Sequence, residues 1–512
     1  MNDKPKEAAG FYAARDYLAA EAACRTIIHH DPRHFDALHL LGVVLTTQDR
    51  PGEALAFLRR AEAEWPDHAL LRVNLGNALL ATHQYKDAVA VSRTGDAATL
   101  NNLGLANRGL LQFEAAAGAF RQAIGMRWDY AAGWFNLATT LSELARLGEA
   151  LQAATTALRV APLDTPVHRL ADISNETGRI LMGLGRPEEA LAVCRRFLKR
   201  HPGQTAVIWN MSLCLLLLGR FEEGWRAYEH RFDVPEHDKR PEGVIVLDPG
   251  RVAGKRVLIL TEQGRGDMLQ FIRYAPLLAE RGATVCVQAY PDLVPLLAAM
   301  PCVAAVASTD DPRPAADLVT SVMSLPLAFG TQPANVPYLR VPPDRQVDRL
   351  GPRTRPRIGV AWSGSPQSYR RSAMPAKTLA PLLALPDFEF HCLQKEIVGS
   401  DQAWLESAKP PINLHVQRLV DFAETAALVD QMDVIVSIDT AVAHLAGGLA
   451  KPTILMLPYS PDWRWMLGRE DSPWYPTARL FRQPERAAWS PVVQAVIARL
   501  RHDRVSLASG RG

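Results

Sequence analysis

Asp439, Thr440 and His444 have the residue types and spacing to hold a phosphate-bearing ligand. They follow the β-branched run at residues 434–438, which reads as a buried strand of a parallel sheet, and they open a small-residue apolar helix over 441–449. Thr440 suits the N-cap, and the backbone N–H groups and dipole of a first helical turn favour an anion. His444 lies one turn further on, where it can lean back toward that mouth. The competing reading is that Asp439 and Thr440 only cap the helix while His444 packs in the interior. A second carboxylate, Asp267, closes the turn EQGRGD after a strand at 256–261. Gly264 and Gly266 would let a substrate approach, and Asp267, near a helix start, would stay ionised as a general base. Its structural alternative is an N-cap or first-turn acid.

Further polar groups stand at other strand ends. Ser363 and Gly364 follow the strand RIGVAW, and Gln394 and Lys395 follow the strand at 389–393. Arg370, Arg371 and Lys395 are candidates to neutralise a diphosphate, or else plain exposed loop charges. The stretch PDWRWMLGREDSPWYP from Pro461 sets Trp463, Trp465 and Trp474 beside Arg464 and Arg469, as a brace with an edge on a cleft.

Two α/β layers must position these residues. In residues 256–342 the order is strand, glycine turn, helix, a strand at 283–288, a helix at 292–300 and a strand at 303–306. Residues 343–512 repeat that alternation, with strands at 357–362, 389–393, 434–438 and 453–457 and helices from 376 and over 421–431. Carboxyl ends of strands in such layers are where ligands bind. A nicotinamide cofactor is disfavoured, because Leu269 stands where the third glycine of GxGxxG would be, and no acidic residue ends the second strand.

Residues 1–232 carry an internal repeat instead. Leu41-Gly42 returns as Leu75-Gly76 after 34 residues, and Pro32 returns as Pro66 at the same interval. Small residues such as Ala54 and Ala61 sit where two antiparallel helices approach closely. About seven hairpins can be counted, one shortened between Gly76 and Gly104 and one lengthened near residues 163–169. Such stacks usually offer a groove to a peptide or protein. His29, His30, His34 and His39 are expected as solvated helix and loop residues rather than metal ligands. Residues 233–255 mix Pro, Gly and charge and read as a linker with a short extended stretch.

A net charge of +3 with 22% charged residues makes no case for nucleic acid or membrane binding. The beginning, MNDKPKEAAG, has no apolar signal core, and no membrane span is expected, since no continuous apolar run approaches the roughly 18 residues of a span. Six scattered cysteines without metal spacing fit a reducing compartment, so a cytoplasmic protein is expected.

EQGRGDMLQFIRYAPLL from Glu262, GVAWSGSP from Gly359, LQKE from Leu393, DFAETAALVDQMDVIVSIDTAVAHLAGGLAKP from Asp421 and the tryptophan stretch together resemble the bacterial tetratricopeptide-repeat proteins with a heptosyltransferase-like glycosyltransferase domain. The resemblance spans roughly the whole chain. It implies an α plus α/β protein: a TPR superhelix over 1–232, a linker over 233–255, and a GT-B pair of Rossmann-like lobes. The lobe at 256–342 would take the acceptor and that at 343–512 the sugar nucleotide. Asp267 would be the base, and Asp439, Thr440 and His444 would match the D-T-x-x-x-H motif at the donor. Transfer would invert the anomeric carbon, with no metal and no cofactor beyond the nucleotide-diphosphate sugar. The family's lysine after Ser365 is absent; Gln367, Tyr369, Arg370 and Arg371 stand there, which leaves the sugar open. The expected activity is glycosyl transfer to a protein, peptide or glycan brought by the repeats. Its rivals are a non-catalytic repeat scaffold and a sugar-nucleotide epimerase or hydrolase.

Overall fold

A computed structural model describes residues 4–93, 95–234, 237–330, 336–345, 350–364 and 374–508. The chain divides into two compact units, Met1–Pro202 and Gly203–Gly512.

The first unit is helical throughout. Its pairs are α1 (Lys4–Ala13) with α2 (Tyr17–His30), α3 (Phe35–Thr47) with α4 (Pro51–Glu64), and α5 (Ala69–Ala81) with α6 (Tyr85–Val91). Then follow α7 (Ala97–Gly109) with α8 (Phe113–Met126), α9 (Ala131–Glu143) with α10 (Leu147–Val160), and α11 (Val167–Gly183) with α12 (Pro187–Arg200). The shortened repeat is the one whose second helix, α6, has 7 residues, and the lengthened one carries the 17-residue α11. Gly42 is required by close approach, since a Cβ there would lie 2.4 Å from Leu58 Cγ on the partner helix. Polar side chains tie successive first helices together: Asn74 Nδ2 meets His39 Nε2 at 2.8 Å, and Asn136 Nδ2 donates to Asn101 Oδ1 at 2.8 Å. His39 is therefore half-buried and partnered, not solvated, and His34 accepts the Ala37 N–H at the start of α3.

The second unit opens with another helical pair, α13 (Thr205–Leu217) and α14 (Phe221–Tyr228). It continues with β1 (Arg256–Leu260), α15 (Arg265–Phe271), α16 (Ala275–Glu280), β2 (Thr284–Ala289), α17 (Val294–Ala298), β3 (Val303–Ser308), β4 (Leu318–Ser321) and α18 (Leu325–Phe329). These four strands form a parallel sheet in the order β3-β2-β1-β4. The next lobe holds β5 (Arg357–Ala361), α19 (Ala380–Leu383), β6 (Glu389–Cys392), α20 (Gly399–Ala408), β7 (Ile412–Leu414) and α21 (Phe422–Asp430). It ends with β8 (Val434–Ser437), α22 (Ala441–Gly448), β9 (Thr453–Leu457), β10 (Ala478–Arg482) and α23 (Trp489–Ala508). This sheet is parallel, in the order β10-β9-β8-β5-β6-β7. Counted within the lobe, that is the 3-2-1-4-5-6 order of a doubly wound sheet, with its switch point between β5 and β8.

The helical pairs expected over 1–232 cross the border between the compact units: α13 and α14 fall in the second one, because Trp225 of α14 is 2% exposed and packs edge-on against Phe271 (5.6 Å) and Trp463 (5.2 Å). The short extended stretch expected within 233–255 is present: Ile245 N–H donates to Val319 O at 3.0 Å, so Val244 and Ile245 extend the sheet beside β4. Strands β4, β7 and β10 carry no clear sequence signal, being short or broken by exposed arginines. No helix among the described residues is long and apolar enough to cross a membrane.

At the edge of the second sheet His391 and His415 stack, with Nδ1 to Nε2 at 3.0 Å, while His391 Nε2 faces Glu389 Oε1 at 3.2 Å. Burial holds His391 down to about 4, with Glu389 opposing this and His415 and Arg357 adding to it; His415 is lowered by its own burial and by Arg418. Between a free histidine's ~6.5 and that value the unfolded chain binds a proton that the folded chain does not, so stability rises with pH there. The melting temperature of the unit is expected to fall as pH drops from about 7 to about 5, and His391→Asn should flatten that slope in calorimetry. Trp225→Ala should cost the second unit about 3–5 kcal/mol in urea unfolding.

Candidate functional site at the junction of two sheets

The site is built from the carboxyl ends of both sheets. After β1 the chain turns through Gln263 (φ 59°) into the start of α15, where Asp267 Oδ2 accepts the Gly264 N–H at 2.7 Å. Asp267 Oδ1 accepts from Arg464 Nη2 of the other lobe. The carboxylate thus both caps its helix and pairs across the junction, with its side chain 16% exposed. Burial pushes Asp267 above the usual carboxylate range, opposed by Arg464 and the Gly264 N–H. Desolvation is thus the largest influence on this carboxylate, acting against the helix start and Arg464.

Of the two turn glycines, Gly266 has a packing role that the sequence did not indicate. A Cβ on Gly266 would lie 3.0 Å from His444 Cδ2 and 3.6 Å from Ala441 Cα. What comes close at Gly266 is therefore the first turn of α22.

On the second lobe, Asp439 and Thr440 stand at the switch point, both half-exposed, beside the half-exposed Gly364. Thr440 occupies the N-cap in extended backbone (φ −145°), but its hydroxyl makes no capping bond and meets Ser437 Oγ at 3.0 Å instead. This corrects the expected side-chain cap. At the start of α22 the N–H groups of Ala443 and His444 donate to Thr440 O (3.0 and 3.4 Å), which leaves those of Ala441 and Val442 as the open end of the helix. His444 is 4% exposed, stacks on Trp465 (5.4 Å) and meets Tyr475 Oη at 2.8 Å through Nδ1; its Nε2 lies 3.7 Å from Asp439 Oδ1. Burial, with Arg464 and Arg273 nearby, holds His444 well below the histidine range, so the ring is neutral. A neutral imidazole does not balance phosphate charge. Asp439 is pushed up to about 7 by burial and by Asp462, against the pull of Arg464 and Trp465.

The remaining expected residues split. Gln394 and Ser363 come together: Gln394 Oε1 accepts the N–H groups of Trp362 and Ser363 (2.5 and 2.8 Å), and its Nε2 donates to Ser363 Oγ at 2.8 Å. These bonds pin the ends of β6 and β5 to each other. Lys395 is exposed and donates to Val420 O at 3.2 Å. Arg371, with Arg370, lies outside the described residues. Among the described residues, no group of three or more His, Cys, Asp or Glu side chains is placed to hold a metal ion.

Several junction residues had escaped assignment. Asp267, Gln270 and Arg273 recur every three residues and all reach the second lobe. Gln270 Oε1 accepts from Arg464 Nε at 2.8 Å, and Arg273 Nη1 donates to Trp474 O at 2.9 Å. That spacing of polar groups in an otherwise apolar helix was the available signal. Arg464 itself is 8% exposed, donates to Asp462 Oδ1 at 2.8 Å and lies 4.2 Å over the Trp463 ring. Tyr338 joins both lobes, donating through its hydroxyl to Leu269 O (2.8 Å) while its N–H donates to Gly448 O (3.1 Å).

The switch point of the first sheet, between β1 and β4, is filled. Arg231, 3% exposed, follows α14 and reaches Glu262 Oε1 and Oε2 (2.6 and 2.8 Å) and Ser324 Oγ (3.0 Å), and Ser321 Oγ donates to the same Glu262. Tyr228 Oη accepts from Gln263 Nε2 at 2.7 Å and is pushed up to about 12 by burial. Among the described residues, the mouth beside β5 and β8 keeps the half-exposed Asp439 and Thr440 at the end of β8 and Gly364 at the end of β5.

Models of the tetratricopeptide repeat match residues 6–69, 135–205 and 175–229, and a second model of that repeat matches 45–103. The chain contains tetratricopeptide repeats. These TPR hairpins include α13 and α14. Over 95% of its length the chain is 26% identical to Protein FlbA of Caulobacter vibrioides, covering 87% of that protein. Among solved structures it is similar to Pseudomonas aeruginosa pilF (17% identity, 40% of this chain and 94% of that one, TM-score 0.34). It is likewise similar to PilW, described as a widely conserved type IV pilus biogenesis factor (18% identity, 40% and 96%, TM-score 0.37).

Valine at position 266 tests the packing at the junction. His444 is held by Trp465 and Tyr475 and cannot give way, so Gly266→Val should destabilise the second unit by about 1–3 kcal/mol in urea unfolding.

Proposed function

We propose that the second unit is an inverting glycosyltransferase of GT-B type that uses a nucleotide-diphosphate sugar. The observation that carries this reading is the cluster of perturbed titratable groups where the carboxyl ends of the two sheets meet. Asp267 and Asp439 are raised and His444 is lowered, beside a buried arginine. Such clusters concentrate at functional sites, and a base works best with a pKa raised toward the working pH. The open switch point favours the second lobe for the nucleotide, since Arg231 fills the corresponding place in the first.

In this reading the diphosphate rests at the first turn of α22, near Thr440 and Asp439. Asp267 takes the proton of an acceptor hydroxyl, whose oxygen bonds to the anomeric carbon. The bond from that carbon to the diphosphate oxygen breaks, and the nucleoside diphosphate leaves with the electron pair. A carboxylate offers about four lone-pair sites, so the two hydrogen bonds at Asp267 leave room for a third partner. The TPR hairpins recruit the acceptor, a protein, peptide or glycan, through the groove that stacked helical repeats offer.

A second reading, a protein-binding scaffold without catalysis, is favoured by the contact of Gly266 with His444 and Ala441 and by the pairing of Asp267 with Arg464. A panel of radiolabelled sugar nucleotides, incubated with the protein and a lysate as acceptor source, separates the two. Transfer that Asp267→Ala lowers by about 100- to 10,000-fold while donor binding persists supports the enzyme. Absence of donor binding across the panel supports the scaffold.

A further inference from the structure

We propose that Arg464 is the cation that receives the donor's diphosphate, and that it does so by leaving Asp267. The proposal rests on the transferase reading for its ligand and adds the residue that couples donor binding to release of the base. Of the cations expected at the site, Arg370 and Arg371 lie outside the described residues and Lys395 is exposed and engaged with Val420 O, while His444 is held well below the histidine range. Arg464 is the buried cation whose field reaches Asp267, Asp439 and His444 together. It is also a planar fork suited to two phosphate oxygens at once.

Its surroundings show that the present partners do not exhaust the site. Asp267 and Asp462 pair with a single guanidinium whose field also reaches Asp439, and burial first, then Asp462, push Asp439 up to about 7. Beside them the Nε2 of Gln270 is buried with no hydrogen-bond partner, while its Oε1 already accepts from Arg464. An orphaned donor next to a guanidinium suits a ligand rich in anionic oxygens, and such an orphan costs free energy until one arrives. Asp462 and Gln270 anchor Arg464 through Nη1 and Nε, so only the Nη2 arm need change partner. Moving that arm to a phosphate oxygen strips Asp267 of its cation and leaves a more basic carboxylate facing the acceptor. Donor binding and readiness of the base are then two ends of one exchange, and the coupling is reciprocal.

Inorganic pyrophosphate is the probe, titrated into the full-length protein by calorimetry at fixed salt, with inorganic phosphate as the comparison. The expected result is that pyrophosphate binds the wild type more tightly than phosphate does. Asp267→Asn, which leaves Arg464 without its competitor, should tighten pyrophosphate about tenfold, Arg464→Lys should weaken it about tenfold, and Arg464→Met should abolish it. Should Arg464→Met fail to fold, the Asp267→Asn and Arg464→Lys titrations decide alone. No pyrophosphate binding to the wild type, or affinity that is unchanged or weakened in Asp267→Asn, overturns the proposal. If pyrophosphate follows the expected pattern but no sugar nucleotide is bound or turned over, the transferase reading fails and the anion site at Arg464 stands.

Discussion

A guanidinium buried between two lobes has to be paired, and the second unit is arranged around meeting that demand at Arg464. Its charge is answered by Asp462 on its own turn, by Asp267 from the opposite lobe and by the amide oxygen of Gln270, while the Trp463 ring covers its face. Removing one partner from such a pair leaves an uncompensated charge that is far more costly than the pair is favourable. The constraint therefore fixes geometry more than it adds stability. It sets α15 against the stretch 462–475 and, through Gly266, brings α15 onto the first turn of α22.

The same contact explains why the last TPR hairpin belongs with the sheets. Trp225 shares one aromatic cluster with Phe271 and Trp463, and Phe221 meets Trp474 at 5.7 Å. A few residues later Arg231 fills the crevice between β1 and β4. The hairpin thus occupies the place where a nucleotide would bind in the first lobe. Asymmetry between two similar sheets follows: the mouth beside β1 and β4 is taken up by packing, and the mouth beside β5 and β8 keeps half-exposed polar residues. Arg231, just after α14, is thereby tied to Glu262, five residues from Asp267.

Much of this was legible in the residues. The interval from Gly42 to Gly76 announces paired helices because a side chain there would strike Leu58, and apolar β-branched runs such as 434–437 announce buried parallel strands. The polar strand ends at Asp267, Ser363, Gln394 and Asp439 stood out by position. Their partners did not. Asp267 and Arg464 are 197 residues apart, and no local pattern marks such a pairing. Strands β4, β7 and β10 were obscured because short edge strands lack the length over which a period can be read.

By itself the sequence determined the repeat period, the alternation of strand and helix, and which loops carry carboxylates, glycines and tryptophans, because these depend on local sterics and on the spacing of apolar residues. The tertiary structure alone decided that His444 is neutral, that Asp439 sits near pH 7, that Gly266 accommodates a helix and that Arg231 closes one of two similar crevices. Ionisation and access depend on what surrounds a group in three dimensions, and desolvation by residues distant in the chain outweighs the local helix start.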